Sequence, residues 1–267
     1  MQKTSKLARD GAVWGLIMVA PTILGLLVLN IWPFIQAIYM SFSKSKPFGM
    51  FEFEGLDNYI EMFQNTEFWK ANWNTIFFCV LTVPVGIFLA LLVATLLNSK
   101  IRGRTTFRAI FFLPMVVAPA AVAMVWKWIF NSQYGIINTL LGLNIGWLTD
   151  SNIVLITCAV VQIWSNIGYD AVLLLAGLQN ISPTLYEAAD LDGASKTRQF
   201  FDITLPMVSP TLFVVLIMRL MSLFYRESFI AGDKGYASAI VVWTVLLIGV
   251  VTVLQFVGQK KWVNYEV

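Results

Sequence analysis

Six long apolar runs divide the chain, at about residues 12–40, 72–97, 107–130, 151–177, 207–226 and 236–258. A helix rising 1.5 Å per residue needs ~20 apolar residues to cross ~30 Å of hydrocarbon. The pattern therefore predicts about six transmembrane helices. Pro33, Pro84, Pro114 and Pro119 fall within or near these runs. Kinks are expected there, with neighbouring helices re-satisfying the freed carbonyls. Between the fourth and fifth runs lies a polar, charged segment, about residues 180–206. Pro183 lacks the amide hydrogen that a first helical turn leaves unpaired, Ser182 is placed as its N-cap, and Glu187 lies early in that helix. Gly193 breaks the helix, a second short helix follows, and Pro206 opens the fifth run.

Composition fixes the class. Hydrophobic residues make up 58% of the 267 and charged residues only 12%, with a mean hydropathy of +0.74. A soluble domain averages about 25% charged and 45–50% apolar, and this excess cannot be hidden in one water-soluble core. The expected fold is all-α: a polytopic helical membrane protein, one transmembrane domain over residues 1–267. Lys3, Lys6 and Arg9 precede the first run in the manner of a signal peptide. The apolar region after them is too long and lacks a small-residue cleavage site, so it reads as a retained span. Histidine is absent, which removes the commonest general base and metal ligand. Cys79 and Cys158 both sit inside apolar runs, without the spacing of a metal site or a disulfide framework, and read as small buried hydrophobes.

The charges set an orientation. Lys100, Arg102, Arg104 and Arg108 lie between the second and third runs, and Lys260 and Lys261 follow the sixth. Asn131–Asp150, between the third and fourth, has no lysine or arginine. The positive-inside rule then places both termini and the polar segment at 180–206 in the cytoplasm. Ser41–Ala71 becomes external, with Glu52, Glu54, Asp57, Glu61 and Glu67 against Lys44, Lys46 and Lys70. Trp32, Trp69, Trp73, Trp126, Trp128, Trp147 and Trp262 cluster near span ends as an aromatic belt.

The polar segment carries Glu187-Ala188-Ala189, then Gly193, then Ile203-Thr204-Leu205-Pro206. An ordinary interfacial helix would not match all of these positions together. The spacing resembles the EAA loop of ABC importer permeases. That resemblance implies a coupling helix seated in a groove of a separate ATPase subunit. Glu187, Ala188, Ala189, Asp192, Gly193, Leu205 and Pro206 would carry the coupling, with Asp192, Lys196 and Arg198 as polar docking contacts. Gly55-Leu56-Asp57-Asn58-Tyr59, Phe68-Trp69 with Asn74-Thr75, Arg102-Gly103-Arg104 through Phe111-Phe112-Leu113-Pro114, Ala176-Gly177-Leu178-Gln179 and Gly235-Tyr236-Ala237-Ser238-Ala239 extend the likeness. They are similar to the carbohydrate-type permeases of the maltose and glycerol-phosphate class. By that resemblance the chain would pair with a second homologous permease above two ATPase subunits. An extracytoplasmic binding protein would deliver a sugar or sugar derivative, and the whole would lie in a bacterial or archaeal cytoplasmic membrane. ATP and magnesium would be bound by the partner subunits, and no cofactor is expected in this chain. Met221–Lys234 is shorter than the matching stretch in that family. Either an external loop has been lost or the C-terminal third is rearranged.

Polar residues inside the spans are the remaining candidates. Gln162, Trp164, Asn166 and Tyr169 offer the aromatic faces and amides that recognise sugars, although membrane helices also use amides to hold one another. Arg219 lies ~20 Å beyond Pro206 at 1.5 Å per residue, and reads as a substrate or gating contact, a snorkelling side chain or half of an ion pair. Asp170 poses the same question and is a candidate partner for it. Lys127, between Trp126 and Trp128, reads most simply as snorkelling. No phosphate-binding Gly-x-x-x-x-Gly-Lys-Ser/Thr loop, ligand cluster or nucleophile elbow is present, so no enzyme activity is expected. Nucleic-acid binding has no support either. Three alternatives stay open: a permease for a non-sugar solute, an ion-driven secondary transporter and a non-transporting scaffold.

Overall fold

A computed structural model describes residues 6–46, 51–99, 103–226 and 234–263. The basic Lys100 and Arg102 and most of the short segment, residues 227–233, lie outside the described residues. The described chain is almost wholly helical, with one small hairpin. Five helical stretches are long and apolar enough to span a bilayer among the described residues: Trp14–Ser41, Thr66–Asn98, Val154–Gln179, Lys196–Leu220 and Gly235–Gln259. A bent pair supplies the sixth. The chain groups into two compact units, Met1–Trp69 with Ser228–Leu247, and Lys70–Glu227 with Ile248–Val267.

The larger unit is built on α4 (Thr66–Asn98), α5 (Arg104–Val116), α6 (Pro119–Ile129), α7 (Ile136–Leu141), α8 (Val154–Gln179), α9 (Pro183–Leu191), α10 (Lys196–Gln199) and α11 (Leu205–Arg226). Its core joins Ala90, Ala94 and Leu97 of α4 to Ala171, Leu174 and Leu178 of α8 and Val208 and Val215 of α11. Helices in lipid gain no hydrophobic advantage from meeting, so small residues that allow close approach decide where they touch. Gly168 is such a point. A Cβ there would overlap the backbone carbonyl of Phe111 in α5, and one at Gly177 would strike Thr211 of α11. Buried hydroxyls find partners one turn back in their own helices: Thr82 donates to the Phe78 carbonyl at 2.7 Å, and Thr157 to Ile153 at 3.2 Å.

Two spans differ from the hydropathy reading. The third is not one helix over 107–130: α5 and α6 are bent by 101° at Val117–Ala118. Both linking residues are extended, with ψ of 137° and 130°. Pro119 is the cause, because its ring excludes the helical region for the residue before it and it has no N–H to continue α5. The fifth span begins earlier than Pro206. The helix runs from Lys196 through a π turn at Phe200–Thr204 into α11, with Leu205 still helical. A second π turn, Leu27–Ile31, joins α1 (Lys6–Leu26) to α2 (Trp32–Ser41). Each π turn ends two residues before a proline, Pro33 or Pro206, where the bonding register shifts around the missing donor.

The smaller unit explains two of the family-like segments. Ser43–Ser45 (β1) and Phe51–Phe53 (β2) pair antiparallel beside α3 (Asp57–Gln64). The loop expected at Ser41–Ala71 is therefore folded. Asn58 is buried, and its Nδ2 donates to the carbonyls of Ser41 and Ser43, each at 3.0 Å. The Tyr59 hydroxyl donates to Ser41 Oγ at 2.7 Å. Gly235, at the start of α12 (Lys234–Gln259), lies against the Ser43 carbonyl where a Cβ would not fit. Tyr236 accepts from Asn65 Nδ2 at 3.1 Å. The Gly55–Tyr59 and Gly235–Ala239 segments thus carry their residues for one shared packing site.

Gly168→Val is expected to lower the stability of the detergent-purified protein by about 1–3 kcal/mol through overpacking against α5. Gly249→Val, at a position with open space around it, is the control. Equal thermal midpoints for the two would contradict the close α5–α8 contact.

Candidate functional site

The polar segment folds into an elbow. α9 ends in a Schellman motif: the Gly193 N–H donates to the Asp190 carbonyl at 3.1 Å, and the Ala194 N–H to Ala189 at 2.9 Å. Gly193 has φ +74°, a left-handed conformation that a side chain resists. Ser182 occupies the N-cap position of α9 as expected. Its hydroxyl bonds to Thr184 Oγ1 at 2.8 Å rather than to a helix amide. Ser195 does cap α10, accepting from the Arg198 N–H at 3.3 Å.

Side chains hold the two arms together. Lys196 Nζ donates to both oxygens of Asp190, at 2.8 and 3.1 Å. Gln199 is buried and donates to Asp190 at 2.5 Å and to the Ala194 carbonyl at 3.1 Å. The Tyr186 hydroxyl and Thr204 Oγ1 lie 2.9 Å apart, pinning α9 to the π turn. These donors, Lys196 first and then Gln199, hold the Asp190 carboxyl below the usual carboxylate range. The pairing therefore stabilises the elbow at any pH above the ordinary Asp range. It is lost as the pH falls through the lowered value.

Lys196 and Arg198 were expected as docking contacts, and here they bond within the elbow, Arg198 to Asp202 at 3.1 Å. Glu187, Ala188, Asp192 and Gly193 are exposed, and Ala189 is half-buried. Leu205 and Pro206 are half-buried at the root of α11. The sequence reading missed Leu191, which is 90% exposed, the extreme among the large apolar side chains. Its signal was present, since Leu191 lies four residues after Glu187 and so on the same face of α9. Gln199, Tyr186 and Thr204 gave no such signal.

The six polar candidates in the spans separate into three groups. Gln162, Asn166 and Tyr169 line a cavity of about 420 Å³ with Ser165, Pro119 and Val122. The chain break before Pro119 thus forms part of its wall. Trp164 instead stands edge-on to Trp126, with ring centroids 5.4 Å apart. Asp170 and Arg219 form a buried ion pair between α8 and α11. Arg219 Nε donates to the two carboxylate oxygens at 2.8 and 2.7 Å, and Nη2 donates to Oδ1 at 2.7 Å and to the Asn166 carbonyl at 3.0 Å. The guanidinium carbon also lies 5.9 Å from the Tyr169 ring centre. The small void beside the pair, about 20 Å³, is too small for a solute. Lys127, read as snorkelling, lines a further cavity.

Helices long and apolar enough to span a membrane, with cavities between them and a polar elbow at the root of α11, are the architecture of a transport permease. The family described as "Binding-protein-dependent transport system inner membrane component" matches residues 82–232, and the chain belongs to it. It is the membrane-spanning permease component of an ABC importer, a multi-pass inner-membrane protein and not an enzyme. The chain is 31% identical to the sn-glycerol-3-phosphate transport system permease protein UgpA of Pectobacterium atrosepticum, covering 94% of this chain and 95% of that one. It is 34% identical to the sulfoquinovosyl glycerol transport system permease protein SmoG of Agrobacterium fabrum, over 76% and 68% of the two chains. A chain of a bacterial ABC transporter involved in the import of the acidic polysaccharide alginate shares its fold, with a TM-score of 0.81 at 23% identity over 96% and 97% of the chains. The alignment with UgpA runs over 281 positions but takes in 94% of these 267 residues, leaving about 30 positions of the relative unmatched. That difference is in keeping with the shortness of Met221–Lys234.

Asp170→Ala and Arg219→Ala are each expected to cost about 3–5 kcal/mol of stability, because each leaves a buried charge unpaired. The double substitution Asp170→Leu with Arg219→Met should recover most of that loss. Denaturation of the purified variants decides the point: single variants no less stable than the double one would rule out the pair as a structural lock.

Proposed function

We propose that this permease works as one half of a two-permease pathway for a sugar or sugar derivative, driven through α9 by a pair of ATPase subunits. The observation that carries the reading is mechanical. The exposed face of α9, with Glu187, Ala188 and Leu191, is clamped by Asp190, Lys196 and Gln199 to a helix that continues without a break into α11. A push on α9 is therefore delivered to a membrane span. ATP and magnesium belong to the ATPase subunits, whose closure moves α9, and an extracytoplasmic binding protein presents the solute on the other side. The family description names a binding protein, and the relatives' names, for sn-glycerol-3-phosphate and sulfoquinovosyl glycerol, support a sugar-type cargo.

The elbow and both termini face the cytoplasm in this scheme. The basic stretch after α4 and the lack of lysine or arginine over Asn131–Asp150 support that orientation. Alternating access follows if ATP and the docked binding protein favour different arrangements of the spans, since a ligand shifts an equilibrium only by its differential affinity. An ion-driven scheme needs a midplane acid free to take up its ion. Asp170 is engaged by Arg219 instead.

Glu187→Lys and Leu191→Asp test the reading in a detergent pull-down of the chain with the products of its neighbouring genes. Each is expected to reduce recovery of the ATPase subunit about tenfold, equivalent to ~1.4 kcal/mol, while the permease's own melting temperature is unchanged. Gly193→Val, which strains the left-handed position, should uncouple uptake from ATP hydrolysis. Full ATPase recovery with both α9 variants would exclude this face as the docking site.

A further inference from the structure

Beside the first cavity lies a second, of about 470 Å³, whose wall includes Thr75 of α4, Trp126, Lys127 and Phe130 at the end of α6, and Cys158 and Gln162 of α8. Gln162 borders both cavities, so the two adjoin. A volume of this size suits a small organic solute. Its chemistry is uneven in a telling way. Among the described residues that line it, Lys127 carries the one fixed charge, and no carboxylate faces it.

Three other cations of this unit are engaged: Arg219 by Asp170, Lys196 by Asp190 and Arg198 by Asp202. Lys127 has no ion-pair partner among the described residues. Lys127 is exposed in the last turn of α6, so an arriving anion meets its ammonium with no carboxylate competing for it. The surrounding wall is fixed in advance. Trp126 stacks on Phe130 with centroids 5.3 Å apart, and Phe130 meets Trp147 at 5.9 Å. The Trp147 Nε1 donates to Asn138 Oδ1 at 2.8 Å, while the buried Asn138 side chain holds the Ser132 and Ile145 carbonyls at 3.0 and 2.9 Å. This network braces the loop that brings Leu148 to the cavity rim. Flat aromatic faces with an amide and a hydroxyl suit a sugar ring, and preorganisation reduces the entropy lost on binding.

We infer that this cavity is an anion-selecting station on the solute path, taking a sugar derivative that bears a phosphate, sulfonate or carboxylate. Lys127 pairs with the acidic group, and Trp126, backed by the buried Phe130, packs against the ring. The inference rests on the permease reading above and adds the charge of the cargo and the residue that senses it.

Cys158, exposed on the cavity wall, provides a built-in probe, and the buried Cys79 an internal reference. The complete transporter, with its ATPase and second permease, is treated with two methanethiosulfonates of similar size, the sulfonatoethyl anion and the trimethylammonioethyl cation. Labelling rates are read by mass spectrometry of the Cys158 peptide. The expected result is that Lys127→Gln lowers the anion-to-cation rate ratio by about three- to tenfold, as loss of a nearby unit charge predicts, and that Lys127→Arg restores it. A reactive Cys158 whose ratio ignores both substitutions overturns the proposal while the co-purifying ATPase leaves the permease reading intact. A Cys158 that reacts with neither reagent also overturns it, because the cavity is then closed to a water-borne solute.

Discussion

The buried pair of Asp170 and Arg219 ties the moving part of this protein to the part that would hold solute. α11 is continuous with the elbow outside the membrane, and α8 contributes to both cavities. The pair joins the two helices where the Asp170 side chain is 4% exposed and that of Arg219 14%. Its four hydrogen bonds include one to the Asn166 carbonyl, one turn before Asp170 on the cavity-lining helix. A charged contact in such a medium does not stretch gradually; it is made or it is broken. In the proposed scheme, motion entering α11 would pass to α8 as a rigid displacement or as a change of partner.

The elbow follows a complementary logic. Its charges pair with one another while staying exposed, Lys196 with Asp190 and Arg198 with Asp202, and the face of α9 proposed for a partner is short, small and partly apolar: Ala188, Leu191 and the single acid Glu187. Such a face can seat deeply in a groove with little polar surface to desolvate. Gly193 sets the angle between the arms, and the Gln199 network keeps that angle under load. For the proposed coupling, rigidity matters more than affinity, because a flexible elbow would absorb the displacement it is to transmit.

How far the chain could be read in advance depended on the range of each interaction. The spans were legible because hydropathy is summed over ~20 residues and survives local exceptions. A kink at Pro119 was expected, but not its size: the parting of the third span into two helices rests on Ala118, forced out of the helix by Pro119, and Val117 beside it. The family-like segments Gly55–Tyr59 and Gly235–Ala239 could be quoted, yet their reason was invisible, since Asn58, Ser43 and Gly235 meet only when folded. The pairing of Lys196 with Asp190 and of Arg198 with Asp202 was not legible, because sequence shows the charge of a side chain and not its partner.

The amino-acid sequence alone determined that this is a helical membrane protein, where its spans lie, and that one polar segment with a glycine hinge interrupts them. These follow from transfer energies and backbone preferences, which act residue by residue. Only the tertiary structure decided that the cation at Arg219 is paired inside the fold while the exposed one at Lys127 faces a cavity. Arg219 and Asp170 are 49 residues apart, and Lys127 belongs to a helix whose direction was set by the turn before Pro119. Electrostatic roles of this kind depend on distances of a few ångströms across the fold, and no pattern along the chain encodes them.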